Sequence, residues 1–162
     1  MSEEEFEKTK AVLVAAQVPF EVLEHAEVKN SQEASVVRGS PLKQSLKSIL
    51  ITFVRSGKKS FVLVNIPADR RLDLKKVKSV LQAQEAKLSS VSDVLEQTGC
   101  ELGAVPPVGH KNKLAVLVDL KVFDGPLVEF NAGLKTQSIR LKSADFRAAL
   151  KKIGAAGFDL TE

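Results

Sequence analysis

The chain has 162 residues, 44% of them hydrophobic and 27% charged, with a formal net charge of +4. That length and mixture fit one compact globular domain spanning residues 1–162. Apolar stretches such as Ile49 to Val54 are too short to cross a bilayer; the single cysteine, Cys100, excludes an intrachain disulfide; and the acidic start at Glu3, Glu4 and Glu5 is unlike a secretion signal, so a cytosolic protein is expected.

Ser2 and Glu5 have the spacing of a capping box and predict a helix from about residue 3, ended by Pro19. "FEVLEH" alternates as a strand does. Asn30 or Ser31 caps a short helix that stops near Gly39. "KSILITFV" and "SFVLVNIP" flank "RSGKK" and predict an antiparallel hairpin. Leu74, Val77 and Leu81 recur at helical spacing, with lysines between them. A second short helix follows from about Ser90 to Gly99. A loop rich in glycine and proline, "GCELGAVPPVGHKNK", comes next. "LAVLVDLKVF" predicts one buried strand, "PLVEFNAG" and "SIRL" two more, and Ser143 the cap of a last helix reaching Gly154. The order is mixed α/β with an antiparallel or mixed sheet. It lacks the regular β-α alternation of a doubly wound parallel fold.

Charge is distributed unevenly. Residues 1–37 hold three lysines against eight glutamates, and residues 38–78 hold eleven lysines or arginines against two aspartates. Residues 79–162 balance, with ten of each sign. A basic segment of that density favours a polyanionic partner, because each phosphate it neutralises releases counterions; a solvated surface is the plainer alternative.

Common catalytic patterns are absent. His25, Cys100 and His110 lack zinc-ligand spacing. "SGKKS" resembles the end of a phosphate loop, but Thr52 stands where the earlier glycine is required. No G-x-G-x-x-G or G-x-S-x-G occurs. Cys100 with His110 could make a thiolate nucleophile, yet Cys100 reads better as a small apolar residue past a helix end. His25 reads as a strand-end residue or the lining of a cleft. Lys47 stands where a polar approach turns into an apolar strand. Such a lysine either presents a fixed positive charge to a phosphate or an oxyanion, or guards a sheet edge against aggregation.

Three blocks occur in a familiar order: "SLKSIL" around Lys47, "GCELGAVPPVGH" with its G-x-x-x-P element from Gly103 to Pro107, and "FNAGLKTQSIRLKSADF". With the upstream "EHAEVKNSQEA" they resemble the YbaK and prolyl-tRNA synthetase editing-domain family over roughly residues 20–155. The resemblance implies a compact α/β domain with a mixed, barrel-like sheet flanked by helices. It implies hydrolysis of the ester between a wrong amino acid and tRNA, commonly proline tRNA. No metal or organic cofactor is implied, and catalysis would rest on a substrate hydroxyl or thiol and a positioned water.

By the same resemblance Lys47 is the catalytic residue, holding the ester end, and the loop from Gly103 through Ala104 to Pro107 lines the amino-acid pocket; Gly109, His110, Asn131, Gly133 and Ser138 are expected to complete it. His110 either touches the ribose or pins the loop. Lys43, Arg55, Lys58, Lys59, Arg70 and Arg71 are the expected tRNA contacts. The turn Asn131-Ala132-Gly133-Leu134 departs from the subgroups selective for cysteine and alanine, and a small residue such as Ala, Ser or Cys is expected as the one removed. An aminoacyl-tRNA synthetase is a further expected partner. A non-catalytic module of the same fold that binds tRNA or a synthetase, and a small-molecule ester or thioester hydrolase, are the competing readings.

Overall fold

The computed structural model describes residues 2–110 and 114–162. Helix α1 (Ser2–Ala15) leads into strand β1 (Glu21–Glu24) and helix α2 (Ser31–Arg38). The hairpin β2 (Leu46–Arg55) and β3 (Lys58–Pro67) precedes α3 (Leu74–Leu81), β4 (Glu85–Leu88) and α4 (Val91–Thr98). After the glycine–proline loop come β5 (Ala115–Asp119), β6 (Leu127–Asn131), β7 (Gln137–Lys142), α5 (Ser143–Lys152) and β8 (Ala156–Phe158). The expected Ser2 cap lies outside the described side chains.

Local chemistry sets these boundaries. The Asn30 side chain accepts the Glu33 N–H and the Glu33 carboxylate accepts the Lys29 N–H, a reciprocal cap that starts α2. Gly39, at φ 69°, ends the helix by donating back to Val36 O. Ser90 caps α4 and Gly99 ends it. Ser56 and Gly57 both have positive φ, the signature of a two-residue turn that matches the twist of β2 and β3.

The strands form two sheets rather than the expected barrel-like one. An antiparallel sheet has the order β1-β7-β6, and a mixed sheet has the order β4-β2-β3-β5-β8, in which β5 runs parallel to β3 and β8. An isolated bridge from Ser45 to Glu129 joins their neighbourhoods. One apolar cluster gathers Phe130 and Ile139 with Leu13, Phe146 and Leu150. Ile51, Val62 and Val64 pack with Val77 of α3, whereas Leu50 and Leu63 pack with Val94, Cys100 and Val105. Strand alternation thus sends successive residues of the hairpin to opposite layers, each fully buried aliphatic contributing about 1.5–3 kcal/mol.

Two further expectations need correction. "LAVLVDLKVF" is not one strand: β5 stops at Asp119, and a 3-10 turn covers Leu120–Phe123. The buried Asp119 carboxylate accepts the Lys121 and Leu160 N–H groups, which bends the chain and draws the C-terminal segment in. Ser143 is not the cap of α5. Lys142 holds that position without a side-chain bond, while the Ser143 hydroxyl donates to Gly125 O.

Candidate functional site

A cavity of about 430 Å³ opens beside the start of β2. Lys29, Asn30 and Ser31 at the head of α2 line it, as do Leu46 to Leu50 of β2. Leu88, Ser89, Val91 and Val94 line it from β4 and α4, and Leu102, Gly103, Val105 and Asn131 close it. Its size falls within the range of small-molecule sites. The lining is mainly aliphatic, with a few polar groups. Two helix starts and two lysines favour an anionic or oxyanionic guest there.

Lys47, Gly103 and Asn131 therefore share one cavity. The Lys47 side chain is half-buried and makes no ion pair among the described residues. Gly103 is there for a steric reason. At φ +88°, a Cβ on it would lie 2.4 Å from the Lys29 carbonyl oxygen. The loop thus seats directly on the backbone that begins α2. Gly103→Ala is expected to cost more than about 1 kcal/mol from its backbone conformation alone and more again from that clash. Gly57→Ala is the control, since Gly57 also has positive φ but open space around it. Thermal melting should rank Gly103→Ala below Gly57→Ala, and equal midpoints would contradict the close seating.

Behind the wall lies a buried polar network that sequence reading missed. Asn131 Nδ2 donates to Gly103 O at 2.8 Å, and its Oδ1 accepts from Arg38 at 3.0 Å and from Ser138 at 3.3 Å. The Arg38 side chain is 1% exposed and also donates to Ser45 and Ser138 at 3.0 Å and to Glu129 at 3.5 Å. Glu129 additionally accepts from Arg140 and Ser40. Burial works against the Arg38 charge and Glu129 works for it. With its Oδ1 held by Arg38, the Asn131 amide cannot flip, so its N–H stays on the loop carbonyl. His25 joins the network through Nε2 at 2.7 Å from the Ser138 hydroxyl, and its Nδ1 lies 2.8 Å from Ala26 O. The available signal was Glu129 itself, a carboxylate inside the apolar run "PLVEFNAG" that requires a buried cation.

The remaining expected pocket residues lie elsewhere. Ala104 and Gly133 line a separate hollow of about 160 Å³, with Gly133 N–H donating to Ala104 O at 2.8 Å. Ser138 stands behind Asn131 rather than in the cavity. Pro107 is buried. Gly109 backs onto α1, where a Cβ would lie 2.8 Å from Thr9 N. Both His110 ring nitrogens are shut from solvent without a hydrogen-bond partner among the described residues. Desolvation pushes its pKa down to about 4, and the nearby Pro107 and Pro106 carbonyls, which fall short of full hydrogen bonds, only partly oppose that. His110 fits a loop pin. The thiol of Cys100 is pushed up to about 12 by burial first and by the Glu5 charge next, so it is no ready nucleophile.

A folded His110 that resists protonation loses ground to an unfolded chain that accepts it. Its contribution is complete above about pH 6.5 and is lost as pH falls toward 4. Melting midpoints are expected to fall across that window by an amount matching ~3 kcal/mol, and His110→Leu should flatten the fall. An unchanged slope in that variant would refute the assignment.

The basic segment is not one face. Arg38 is buried. Lys43 and Arg70 border a hollow with Lys121, whereas Arg71 lies 3.9 Å from Glu162. Arg55, Lys58 and Lys59 crowd the hairpin tip, where Arg55 and Lys59 rest against Phe53 and Phe61.

An aminoacyl-tRNA editing domain matches residues 25–149, which spans every element lining the cavity. The chain belongs to the aminoacyl-tRNA editing-domain family. This editing domain is 33% identical over 137 residues to the multifunctional Ser/Thr-tRNA deacylase ProXp-y of Escherichia coli K12, covering 84% of this chain and 82% of that one. It is 32% identical over 115 residues to the proline–tRNA ligase of Kosmotoga olearia, covering 70% of this chain and 19% of the ligase. Its fold matches a solved structure described as a candidate trans-editing enzyme for prolyl tRNA synthetase, with a TM-score of 0.79 at 24% identity over 98% of this chain and 97% of the other. The hypothetical protein APE2540 superposes with a TM-score of 0.84 at 20% identity, over 96% and 99% of the two chains. No helix among the editing domain's described residues is long and apolar enough to cross a membrane.

Proposed function

We propose that this chain acts as a hydrolase of misacylated tRNA whose preferred substrates are seryl and threonyl esters. The observation that carries this reading is Lys47, an ammonium group without an internal ion pair among the described residues, set in a mainly aliphatic cavity closed by Gly103 and Asn131. An aminoacyl ester is already activated, so fixed geometry and charge can replace a strong protein nucleophile. Water attacks the carbonyl carbon, the carbonyl electron pair moves to oxygen, and Lys47 donates to that oxyanion. The intermediate then expels the ribose oxygen. The proton lost by the water ends on that oxygen, carried by a hydroxyl of the substrate. The products are free amino acid and uncharged tRNA.

Two features favour a hydroxyl-bearing amino acid over alanine. Asn131 spends one amide N–H on Gly103 and keeps a second to offer. Ser31 donates to Leu46 O, which leaves its oxygen free to accept. The relative in Escherichia coli is named for serine and threonine. Lys43, Arg55, Lys58, Lys59, Arg70 and Arg71 are assigned to the RNA backbone, the tip group and the Lys43–Arg70 group touching different parts of it.

The test is a panel of seryl-, threonyl-, alanyl- and cysteinyl-tRNA, carried on proline tRNA and on cognate tRNA. Seryl and threonyl esters are expected to be lost faster than the other two. No loss above the uncatalysed rate on any member would end the proposal.

A further inference from the structure

Three large aliphatic side chains stand in the open around the Lys47 cavity. Leu88 is 59% exposed, Val91 67% and Leu102 58%. They come from the end of β4, the first residue of α4 and the glycine–proline loop, and all three line the same cavity. A single exposed aliphatic is ordinary on a protein surface. Three converging on one opening make an apolar rim that marks a binding surface. Ile49, Leu50, Val94 and Val105 continue the apolar lining. No aromatic side chain is part of it among the described residues.

Resting on the ester-hydrolase reading, we infer that Leu88, Val91 and Leu102 seat the nucleobase of the terminal adenosine of tRNA. Covalent connectivity argues for a base there. An ester carbonyl held at Lys47 is joined through one ribose to that base, so the base must lie beside the cavity that holds the ester. The amino-acid side chain does not account for the rim: serine and threonine are small and carry a hydroxyl. The broad, weakly hydrated faces of a purine fit exposed aliphatic surface. Aliphatic packing reads the presence of a base and its area rather than its hydrogen-bonding edge. The seat therefore accepts guanine nearly as well as adenine.

The test measures binding, so it does not depend on turnover. An acceptor-stem minihelix carries serine through a 3′-amide that cannot be hydrolysed. It is made with terminal adenine, with terminal guanine and with an abasic terminal ribose. Leu88→Ser, Val91→Ser and Leu102→Ser alter exposed positions, and melting curves verify that each variant is folded. Each is expected to weaken binding of the adenine form about three- to tenfold and to leave binding of the abasic form unchanged. The guanine form should follow the adenine form.

Equal weakening on intact and abasic RNA overturns the inference. So does wild-type binding that ignores the base, or no wild-type binding at all. Unchanged affinity in all three variants overturns it too, and leaves the rim to a protein partner. The hydrolase reading is judged separately by ester loss. A chain that binds in a base-dependent way but hydrolyses no ester keeps the seat and loses the enzyme. One that hydrolyses esters with no rim effect keeps the enzyme and loses the seat.

Discussion

Lys47→Ala is expected to lower kcat/KM for seryl-tRNA hydrolysis by about 10²- to 10³-fold, the loss typical when one oxyanion donor is removed, with little change in melting temperature. The two halves of that expectation come from one fact. Lys47 is the second residue of β2, paired in register with Ile66, and its strand position rests on backbone bonds and on the buried Leu46 beside it. Its ammonium has no ion pair to lose among the described residues. A lysine kept only to guard a sheet edge would give normal hydrolysis in this variant. The division between parameters locates the charge. A fall in kcat with steady KM places it on the oxyanion, whereas a raised KM places it on a ground-state phosphate. Lys47→Arg is expected to recover only part of the rate, because a planar guanidinium does not place a compact charge where the ammonium does.

Arg38→Ala is expected to destabilise the fold by about 3–5 kcal/mol, as breaking a buried ion pair does, read as a lower denaturation midpoint. The Arg38 side chain is 1% exposed and Glu129 is 0% exposed. Removing Arg38 takes a donor from Ser45, Ser138, Asn131 and Glu129 together. Arg140 and Ser40 still reach Glu129, which keeps the loss from being larger. Arg38→Met with Glu129→Leu removes both charges, and the pair should cost less than the sum of the single changes. A loss below about 1 kcal/mol in Arg38→Ala would contradict a closed network, since leaving buried polar groups unpaired costs at least that much.

The helices were legible because their ends are local chemistry. Asn30 with Gly39 and Ser90 with Gly99 mark both termini of α2 and α4 within a few residues of sequence. The hairpin was legible through Ser-Gly between two β-rich runs. What failed depended on partners far away in sequence. Asp119 interrupts "LAVLVDLKVF" because it accepts from Leu160, forty-one residues later. Ser143 has the identity of a cap but spends its hydroxyl on Gly125. Arg38 was counted with the surface cations because nothing adjacent to it announces Glu129, ninety-one residues on. Lys47 stood out by its place at the head of an apolar strand and took its expected role, like Gly103, from the family resemblance; the cavity brings both together with Asn131. Pro107, Gly109 and His110 belong to the same motif by sequence, yet they face the packing that holds the loop.

Strand β2 carries Lys47 near one end and Arg55 at the other, eight residues along the same extended backbone. At about 3.4 Å per residue that is roughly 27 Å. On the proposed reading of Lys47 and the tip cations, the hairpin is a ruler: its two ends cannot grip the same phosphate. An RNA short enough to reach only Lys47 leaves the tip idle, so salt sensitivity becomes a measure of how much of the ruler a substrate spans.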